Sequence, residues 1–264
     1  MRGTLESYAG LDELTEPTPP VKYPRKPGFR PQPEDNPFNA WYWWAEITGG
    51  PSGLLTGKTL AIKDNVCVAG VPRMNGSSVL EGYTPEIDAT VVTRILDAGG
   101  TILGKAVCEH FCSSGGSHTS PVCNPHDQSR MAGGSSSGSA ALVAASKVDM
   151  AIGGDQGGSI RMLSCWCGIY GIKPTYGLVP YTGIAPIELT IDHAGSMARA
   201  AADVALLLEV IAGPDGLDPR QQAGLQGEAY TQALTGKIDG PSLGFVPEGL
   251  GWEGLSEVDV DGSV

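Results

Sequence analysis

Residues 132–161 have the sequence AGGSSSGSAALVAASKVDMAIGGDQGGSIR, in which two loops of glycine and serine flank a run of small apolar residues. Between the loops, residues 137–147 are typical of a small-residue helix and residues 149–154 of a short buried strand. A unit of one helix and one strand can fold back on itself and bring its two ends together. The stretch therefore predicts a local α/β unit in which two serine-rich loops meet.

Strands and helices also alternate along the rest of the chain. The sequence predicts strands over residues 59–66 and 101–107, and helices over residues 89–100 and 198–213. Because strands that alternate with helices pair mainly in parallel, the fold class is predicted to be α/β.

The first 50 residues differ from the rest in composition. Residues 17–37 are rich in proline and polar side chains, which is typical of an extended arm or linker. The aromatic segment NAWYWWAEI, residues 39–47, is interpreted as a part of the arm that docks onto the main body. We therefore predict a proline-rich N-terminal arm over residues 1–50 and a core over residues 51–264.

The charge balance narrows the choice of partners. The chain has 17 basic and 29 acidic residues among its 264, a formal net charge of −12. This balance argues against nucleic acid as a ligand, since nucleic-acid binding needs a basic surface. No apolar run approaches the length of a membrane span, so no membrane partner is expected and the default location is the cytoplasm.

The cysteines do not indicate a cofactor. Six of them are spread along the chain, and neither of the two close pairs, Cys108/Cys112 and Cys165/Cys167, has CxxC spacing. The pattern favours structural thiols over a disulfide framework or a zinc site, and no metal is predicted.

Two motifs offer other interpretations of the glycine-rich stretches. The sequence GLLTGKT, residues 53–59, resembles a phosphate-binding loop but has three residues between its glycines where that motif needs four. The sequence GSSSG, residues 134–138, matches a nucleophile elbow centred on Ser136. The elbow needs an acid and a later histidine, and His193 is the only histidine downstream. The phosphate-binding interpretation is weak because of its spacing, and the elbow is weak because Asp192 lies directly beside His193 and the stretch before the motif is polar.

A third interpretation uses both serine loops. Glycines before Ser159 would let the backbone approach a substrate carbonyl, and consecutive N–H groups can point at a developing oxyanion. A serine nucleophile needs a base, and Lys63 lies at the end of an apolar strand, where desolvation favours the neutral amine. The residues thus suggest nucleophilic catalysis by Ser159 with Lys63 as base.

With these residues the chain resembles the amidase signature enzymes. Their motif runs GGSS(G/S)GSA and then D-x-G-x-S-(I/V)-R, and the resemblance extends from about Gly57 to about Val246. Four further segments of this chain carry the resemblance, namely AIKDN (61–65), GKAVCEHFCSSGGSHTSP (104–121), NPHDQSRMAGGSS (124–136) and CGIYGIKPTYGLVP (167–180). The GGDQGGSIR form looks most like amidases that act on simple aliphatic and aromatic amides. The implied fold is a mixed, largely parallel central sheet flanked by helices.

The resemblance implies a Ser–cis-Ser–Lys triad. Ser159 matches the nucleophile, Ser135 the bridging serine that passes the proton, and Lys63 the base. The expected reaction is hydrolysis of a carboxylic acid amide through an acyl-enzyme on Ser159, without a metal or organic cofactor. The expected partner is a small-molecule amide, and a homodimer is an open alternative to the monomer.

The loops supply two further sets of predicted site residues. The oxyanion would be held by backbone N–H groups of Gln156, Gly157, Gly158 and Ser159. Supporting roles are expected for Ser136, Asp155 and Arg161, of which the last two brace the loop rather than take part in the chemistry.

The chain departs from the family pattern in two ways. Leu163 stands where proline is usual, which we expect to loosen the turn behind the nucleophile, and Cys165 follows shortly after. The chain is also shorter than family members usually are, so we expect the sheet to be incomplete at its C-terminal end. Two alternatives to an amidase therefore stay open, namely a truncated non-catalytic relative and an amidotransferase subunit.

Overall fold

The computed structural model describes residues 20–113 and 115–236, together with residues 240, 242 and 244. The chain divides into two units, of which the first ends at Ala233 and the second begins at Leu234. All the helices and strands given below belong to the first unit.

Eight strands occur in the described part of the chain, and six of them form one mixed sheet. They are β1 (Trp41–Thr48), β2 (Thr59–Lys63), β3 (Thr101–Ala106), β4 (Cys123–Asn124), β5 (Asp127–Met131), β6 (Met150–Asp155), β7 (Tyr170–Gly171) and β8 (His193–Ala198). The sheet has the order β1–β3–β2–β6–β8–β7, while β4 and β5 form a separate antiparallel pair.

The three central strands of the sheet are parallel. Strand β2 pairs with β3 on one side and with β6 on the other, and Ile62 lies opposite Ile152 of β6. Strands β1, β8 and β7 are antiparallel to their neighbours. The parallel register brings the carboxyl ends of β2 and β6 to the same edge of the sheet, where Lys63 and Asp155 end their strands.

Helices cover both faces of the sheet. They are α1 (Thr90–Asp97), α2 (Ser137–Ala144), α3 (Arg161–Trp166) and α4 (Ala201–Ile211). Apolar residues of α1 and α4 share one core with Leu60 and Ile62, whereas those of α2 and α3 share the other with Ala61. Successive residues of strand β2 therefore face opposite cores, as expected of a strand that is buried on both faces. None of the described helices is long and apolar enough to cross a membrane.

The α/β class and the mixed sheet with its parallel centre are confirmed. Predicted and observed elements agree to within a few residues for β2, β3, β6, α1 and α2. The predicted helix over residues 198–213 begins later, at Ala201, because Ala198 ends strand β8, which the sequence did not reveal. The last part of the predicted arm, Trp41–Thr48, is an edge strand paired with β3, so the sheet begins before residue 51.

Strand β6 is the element whose packing we expect to matter most for stability. Ile152 is fully buried at its centre, so Ile152→Ala should lower the free energy of unfolding by about 2–5 kcal/mol through lost burial and an incompletely filled cavity. The measurement is chemical denaturation monitored by circular dichroism. The matched control is Ile187→Ala, since Ile187 is 42% exposed and its truncation should change stability little. Equal effects of the two substitutions would contradict this packing.

Candidate active site

Lys63 is a fully buried lysine at the edge of the sheet where β2 and β6 end. Its Nζ donates a hydrogen bond to Ser135 Oγ at 2.8 Å and a longer one to the carbonyl of Gly154 at 3.3 Å. A buried amine needs such partners because it has lost its water. The structure thus brings together two of the three predicted catalytic side chains, which are distant in sequence.

The loop that carries Ser135 is held against β6 by its neighbouring serines. The Gly134–Ser135 peptide bond is cis, and Ser135 is fully buried. Ser136 Oγ donates to the Gly154 carbonyl and accepts from the Gly154 N–H, both at 3.1 Å. The Ser136 hydroxyl is therefore engaged with the backbone of β6.

Ser159 lies in the loop between β6 and α3, where only 6% of the residue is exposed. The loop turns around Asp155, whose carboxylate accepts from the Gly158 N–H at 2.8 Å and the Ile160 N–H at 3.1 Å. Arg161 donates to the same carboxylate through Nε at 3.0 Å and Nη2 at 2.9 Å. Asp155 thus joins Arg161 to the backbone of the Ser159 loop.

The folded protein favours the ionised form of the Asp155 carboxyl group. Burial by itself raises the pKa of this carboxyl, but the hydrogen bonds from Arg161 and from the Ile160 and Gly158 N–H groups outweigh it, so the pKa lies below its usual range. A carboxylate stabilised in this way contributes to stability above its unfolded pKa, and the contribution is lost as the pH falls through the lowered value.

The predicted oxyanion donors are not equivalent. The Gly158 N–H already donates to Asp155. The N–H groups of Gln156, Gly157 and Ser159 have no acceptor among the described residues. These three are therefore the donors available to a ligand in this loop.

A glutamate that the sequence analysis did not single out anchors the backbone behind Ser135. The Glu109 N–H donates to the Ser135 carbonyl at 3.1 Å. Its buried carboxylate accepts from the Thr119 N–H and hydroxyl and from the Ser120 hydroxyl. The only signal in the sequence was the position of Glu109 within the segment GKAVCEHFC.

A buried ion pair lies directly beside Lys63. Lys105 Nζ is 3.3 Å from Asp64 Oδ1, and both side chains are almost completely buried. Burial raises the pKa of Asp64 and lowers that of Lys105, since it opposes the charged form of each. The Asp64 carboxylate also accepts from the N–H groups of Met74 and Asn75 and so ties that turn to the end of β2.

The residue in the usual proline position is part of the core. Leu163 is fully buried in α3, and a Cβ placed on Gly133 would lie 3.1 Å from Leu163 Cγ. Leu163 therefore packs against the Ser135 loop, and the loosening of the turn stays a prediction. Cys165 is exposed on the same helix.

The cysteines are all free thiols. Over residues 20–113 and 115–236, no cluster of three or more His, Cys, Asp or Glu side chains could hold a metal ion.

The contribution of the Asp155 charge to stability can be tested by substitution. We expect Asp155→Asn to lower the free energy of unfolding near neutral pH by about 2 kcal/mol, because the amide keeps the shape but loses the charge that Arg161 and the N–H groups contact. The difference from the unmodified chain should shrink in acid below about pH 4, where the unfolded carboxyl takes up its proton. Denaturant titrations at several pH values measure it.

The matched control for Asp155 is Asp127→Asn. Asp127 also accepts hydrogen bonds, from Ser129, but it is exposed on β5, so its loss should have little effect. A destabilisation by Asp155→Asn that does not change with pH would contradict a role for the charge.

Comparison with known proteins identifies a family. The Amidase family model matches residues 39–259. An enantioselective amidase of Rhodococcus rhodochrous is 55% identical over 220 residues, which cover 81% of this chain and 42% of that protein. A glutamyl-tRNA(Gln) amidotransferase subunit of Haloarcula marismortui is 40% identical over 86% of this chain and 56% of its own length.

Solved structures agree with the sequence relatives. The native peptide amidase of Stenotrophomonas maltophilia superposes with a TM-score of 0.64 at 39% identity, over 68% of this chain and 39% of that one. The chain thus spans about half the length of the curated relatives it matches. On the extent of these matches, together with the paired serine loops and Lys63, the chain belongs to the amidase signature family.

Proposed function

We propose that this chain carries the catalytic centre of an amide hydrolase in which Ser159 is the nucleophile. The observation that carries the proposal is the 2.8 Å contact between Lys63 Nζ and Ser135 Oγ, buried at the sheet edge from which the Ser159 loop departs. A buried lysine bonded to a serine hydroxyl is a suitable acceptor for a proton that the serine passes on.

The proton path follows from these contacts. Ser159 Oγ attacks the amide carbonyl carbon, and its proton moves to Ser135 Oγ while the Ser135 proton moves to Lys63 Nζ. The same path in reverse delivers the proton to the leaving amine as the C–N bond breaks, which leaves an ester on Ser159. Water then attacks the ester, and the carboxylate product departs.

Charge that develops on the carbonyl oxygen needs donors that are already in position. The N–H groups of Gln156, Gly157 and Ser159, which meet no acceptor in the described part of the chain, support this role, whereas Gly158 is occupied by Asp155. Because these donors belong to a loop held by Asp155 and Arg161, little reorganisation is needed during the reaction.

The substrate we propose is a small carboxamide. The similarity to an enantioselective amidase and to a peptide amidase supports this class. A cytoplasmic location and a homodimeric state remain predictions from the sequence.

The amidotransferase subunits among the relatives support a second candidate, a glutamine-hydrolysing subunit of a larger assembly. The higher identity to the Rhodococcus amidase favours the first. The net charge of −12 also argues against direct contact with tRNA. If the chain hydrolysed glutamine in preference to simple carboxamides, the amidotransferase subunit would become the favoured candidate.

A fluorophosphonate probe tests the nucleophile. It should form a phosphorus–oxygen bond at Ser159 with loss of fluoride, and peptide mapping by mass spectrometry identifies the labelled residue. Ser159→Ala should abolish labelling, and Lys63→Met should slow it by roughly 10²–10⁴-fold because the general base is lost. The same two substitutions should affect the release of ammonia from small carboxamides in the same way, so that Ser159→Ala abolishes it and Lys63→Met slows it.

The matched control is Ser129→Ala, which removes a hydroxyl from the exposed strand β5 and should leave labelling unchanged. A folded, monodisperse chain that is not labelled and hydrolyses no amide would overturn the proposal and favour the non-catalytic alternative.

A further inference from the structure

Gln156, the first residue of the Ser159 loop after strand β6, makes few hydrogen bonds. In the described part of the chain its backbone N–H has no acceptor and its backbone carbonyl has no donor. Its side-chain Oε1 is buried and has no partner there either. The one hydrogen bond that Gln156 makes among the described residues runs from Nε2 to the hydroxyl oxygen of Tyr181 at 3.4 Å. Tyr181 is therefore the hydrogen-bonding partner that can fix the position of Gln156.

Tyr181 is itself held in one place. The residue is almost completely buried, and its N–H donates to Asp218 Oδ2 at 2.8 Å. The guanidinium carbon of Arg220 lies over its ring, 4.6 Å from the centroid. Contacts at both the backbone and the ring leave the side chain little freedom, so its hydroxyl is presented to Gln156 in a fixed direction.

Arg220 and Asp218 form a buried ion pair beside Tyr181. Arg220 donates to the Asp218 carboxylate through Nε at 2.9 Å and Nη2 at 2.8 Å, and both side chains are largely buried. Its Nη1 donates to the carbonyl of Asp192 at 3.0 Å. The next residue along the chain, which begins β8, lies opposite the last residue of β6. One guanidinium group thus supports Tyr181 and also the end of β8 that pairs with the end of β6.

The groups of this cluster keep the protonation states that the contacts need. Burial by itself raises the pKa of Asp218, but the hydrogen bonds from Arg220 and from the Tyr181 N–H outweigh it, so the pKa lies below its usual range. Burial raises the pKa of the Tyr181 phenol. The hydroxyl therefore keeps its proton and accepts from Gln156 as a neutral group.

The two halves of the catalytic loop are fixed to different extents. Asp155 accepts from the N–H groups of Gly158 and Ile160 and so holds the later half. In the earlier half, a Cβ placed on Gly157 would meet no other group within 4 Å. The N–H groups of Gln156 and Gly157 are nevertheless among the donors that are free in the described part of the chain. Donors serve an oxyanion best when they are already in position, so the earlier half needs a fixed point of its own.

We propose that Tyr181 is a positioning residue for the oxyanion donors of the Ser159 loop. Its hydroxyl fixes the side chain of Gln156 and thereby the direction of the N–H groups of Gln156 and Gly157. The buried ion pair beside Tyr181 keeps the hydroxyl in place. The role in hydrolysis rests on the proposed function, whereas the contact with Gln156 does not.

The contact is tested first in the resting chain, without any substrate. Tyr181→Phe removes the hydroxyl and keeps the ring over Arg220. The amide resonances of Gln156 and Gly157 are compared by NMR in the unmodified and the substituted chain. We expect the side-chain amide of Gln156 and the backbone amides of both residues to shift. The two backbone amides should also exchange with solvent faster, because the loop has lost its fixed point.

The matched control is Tyr176→Phe. The ring of Tyr176 also lies beside the Arg220 guanidinium, 5.5 Å from its carbon, but its hydroxyl donates to the carbonyl of Leu189 at 2.6 Å. Loss of this hydroxyl should leave the Gln156 resonances unchanged. The proposal is overturned if Tyr181→Phe leaves those resonances unchanged, or if Tyr176→Phe shifts them equally.

Steady-state hydrolysis of a small carboxamide tests the role in catalysis. Tyr181→Phe should lower kcat by about 3–10-fold, the effect of losing one neutral hydrogen bond, and should leave KM unchanged. The reason is that the loop donors act on charge that appears only in the transition state. Tyr176→Phe should change neither constant.

The fraction of Ser159 that a fluorophosphonate labels at completion separates positioning from folding. In Tyr181→Phe this fraction should remain that of the unmodified chain while kcat falls. A merely structural role would lower the fraction and leave kcat per labelled site unchanged, and that result would overturn the positioning role.

Gln156→Met shows whether Tyr181 acts through Gln156. Methionine is similar in length to glutamine but offers no N–H to the Tyr181 hydroxyl. Adding Tyr181→Phe to Gln156→Met should therefore lower kcat no further, because the contact is already lost. A further loss as large as in the unmodified chain would contradict the positioning role.

The two proposals can fail separately. If Ser159 is never labelled but Tyr181→Phe alone shifts the Gln156 resonances, the hydrolase proposal fails and the contact stands. If Ser159 is labelled and amides are hydrolysed at an unchanged rate in Tyr181→Phe, the hydrolase proposal stands and the role of Tyr181 fails.

Discussion

The parallel pairing of β2 with β6 is the constraint on which the rest of the site depends. It brings the ends of the two strands to one edge of the sheet, so that Lys63 follows the last residue of β2 that pairs with β6, while β6 continues to Asp155. Each strand is buried on both faces, and any polar side chain at this edge must find its partners within the protein. The hydrogen bonds from Lys63 to Ser135 and Gly154 follow from that requirement.

The same requirement explains why the surroundings of Lys63 are rich in ionisable groups. Asp64 and Lys105 neutralise each other within the core, and Asp64 also holds the turn at Asn75. The side-chain oxygen of Asn75 in turn accepts from the thiols of Cys108 and Cys112 at 3.6 Å and 3.5 Å. Lys105, Asp64 and Asn75 thus belong to one connected network of buried polar groups beside Lys63.

Much of the fold, and the family, could be predicted from the sequence. Apolar periodicity located α1, β2, β3 and β6, and the two glycine–serine loops with Lys63 indicated the family. Strand β8 was missed because small residues and a histidine give HAGSMA no strong strand pattern. Strand β1 was assigned to an arm because its burial comes from pairing with β3, which local composition does not reveal.

The sequence by itself determined which side chains are available for chemistry and the order of strands and helices that carries them, since both depend on local residue types and spacing. Only the tertiary structure decided which of them meet. It set Lys63 Nζ at 2.8 Å from Ser135 Oγ and joined the Ser136 hydroxyl to the backbone of β6 at Gly154. Those contacts join residues far apart in the chain. They arise from parallel strand pairing and from the need to satisfy buried polar groups, which no local pattern of residues encodes.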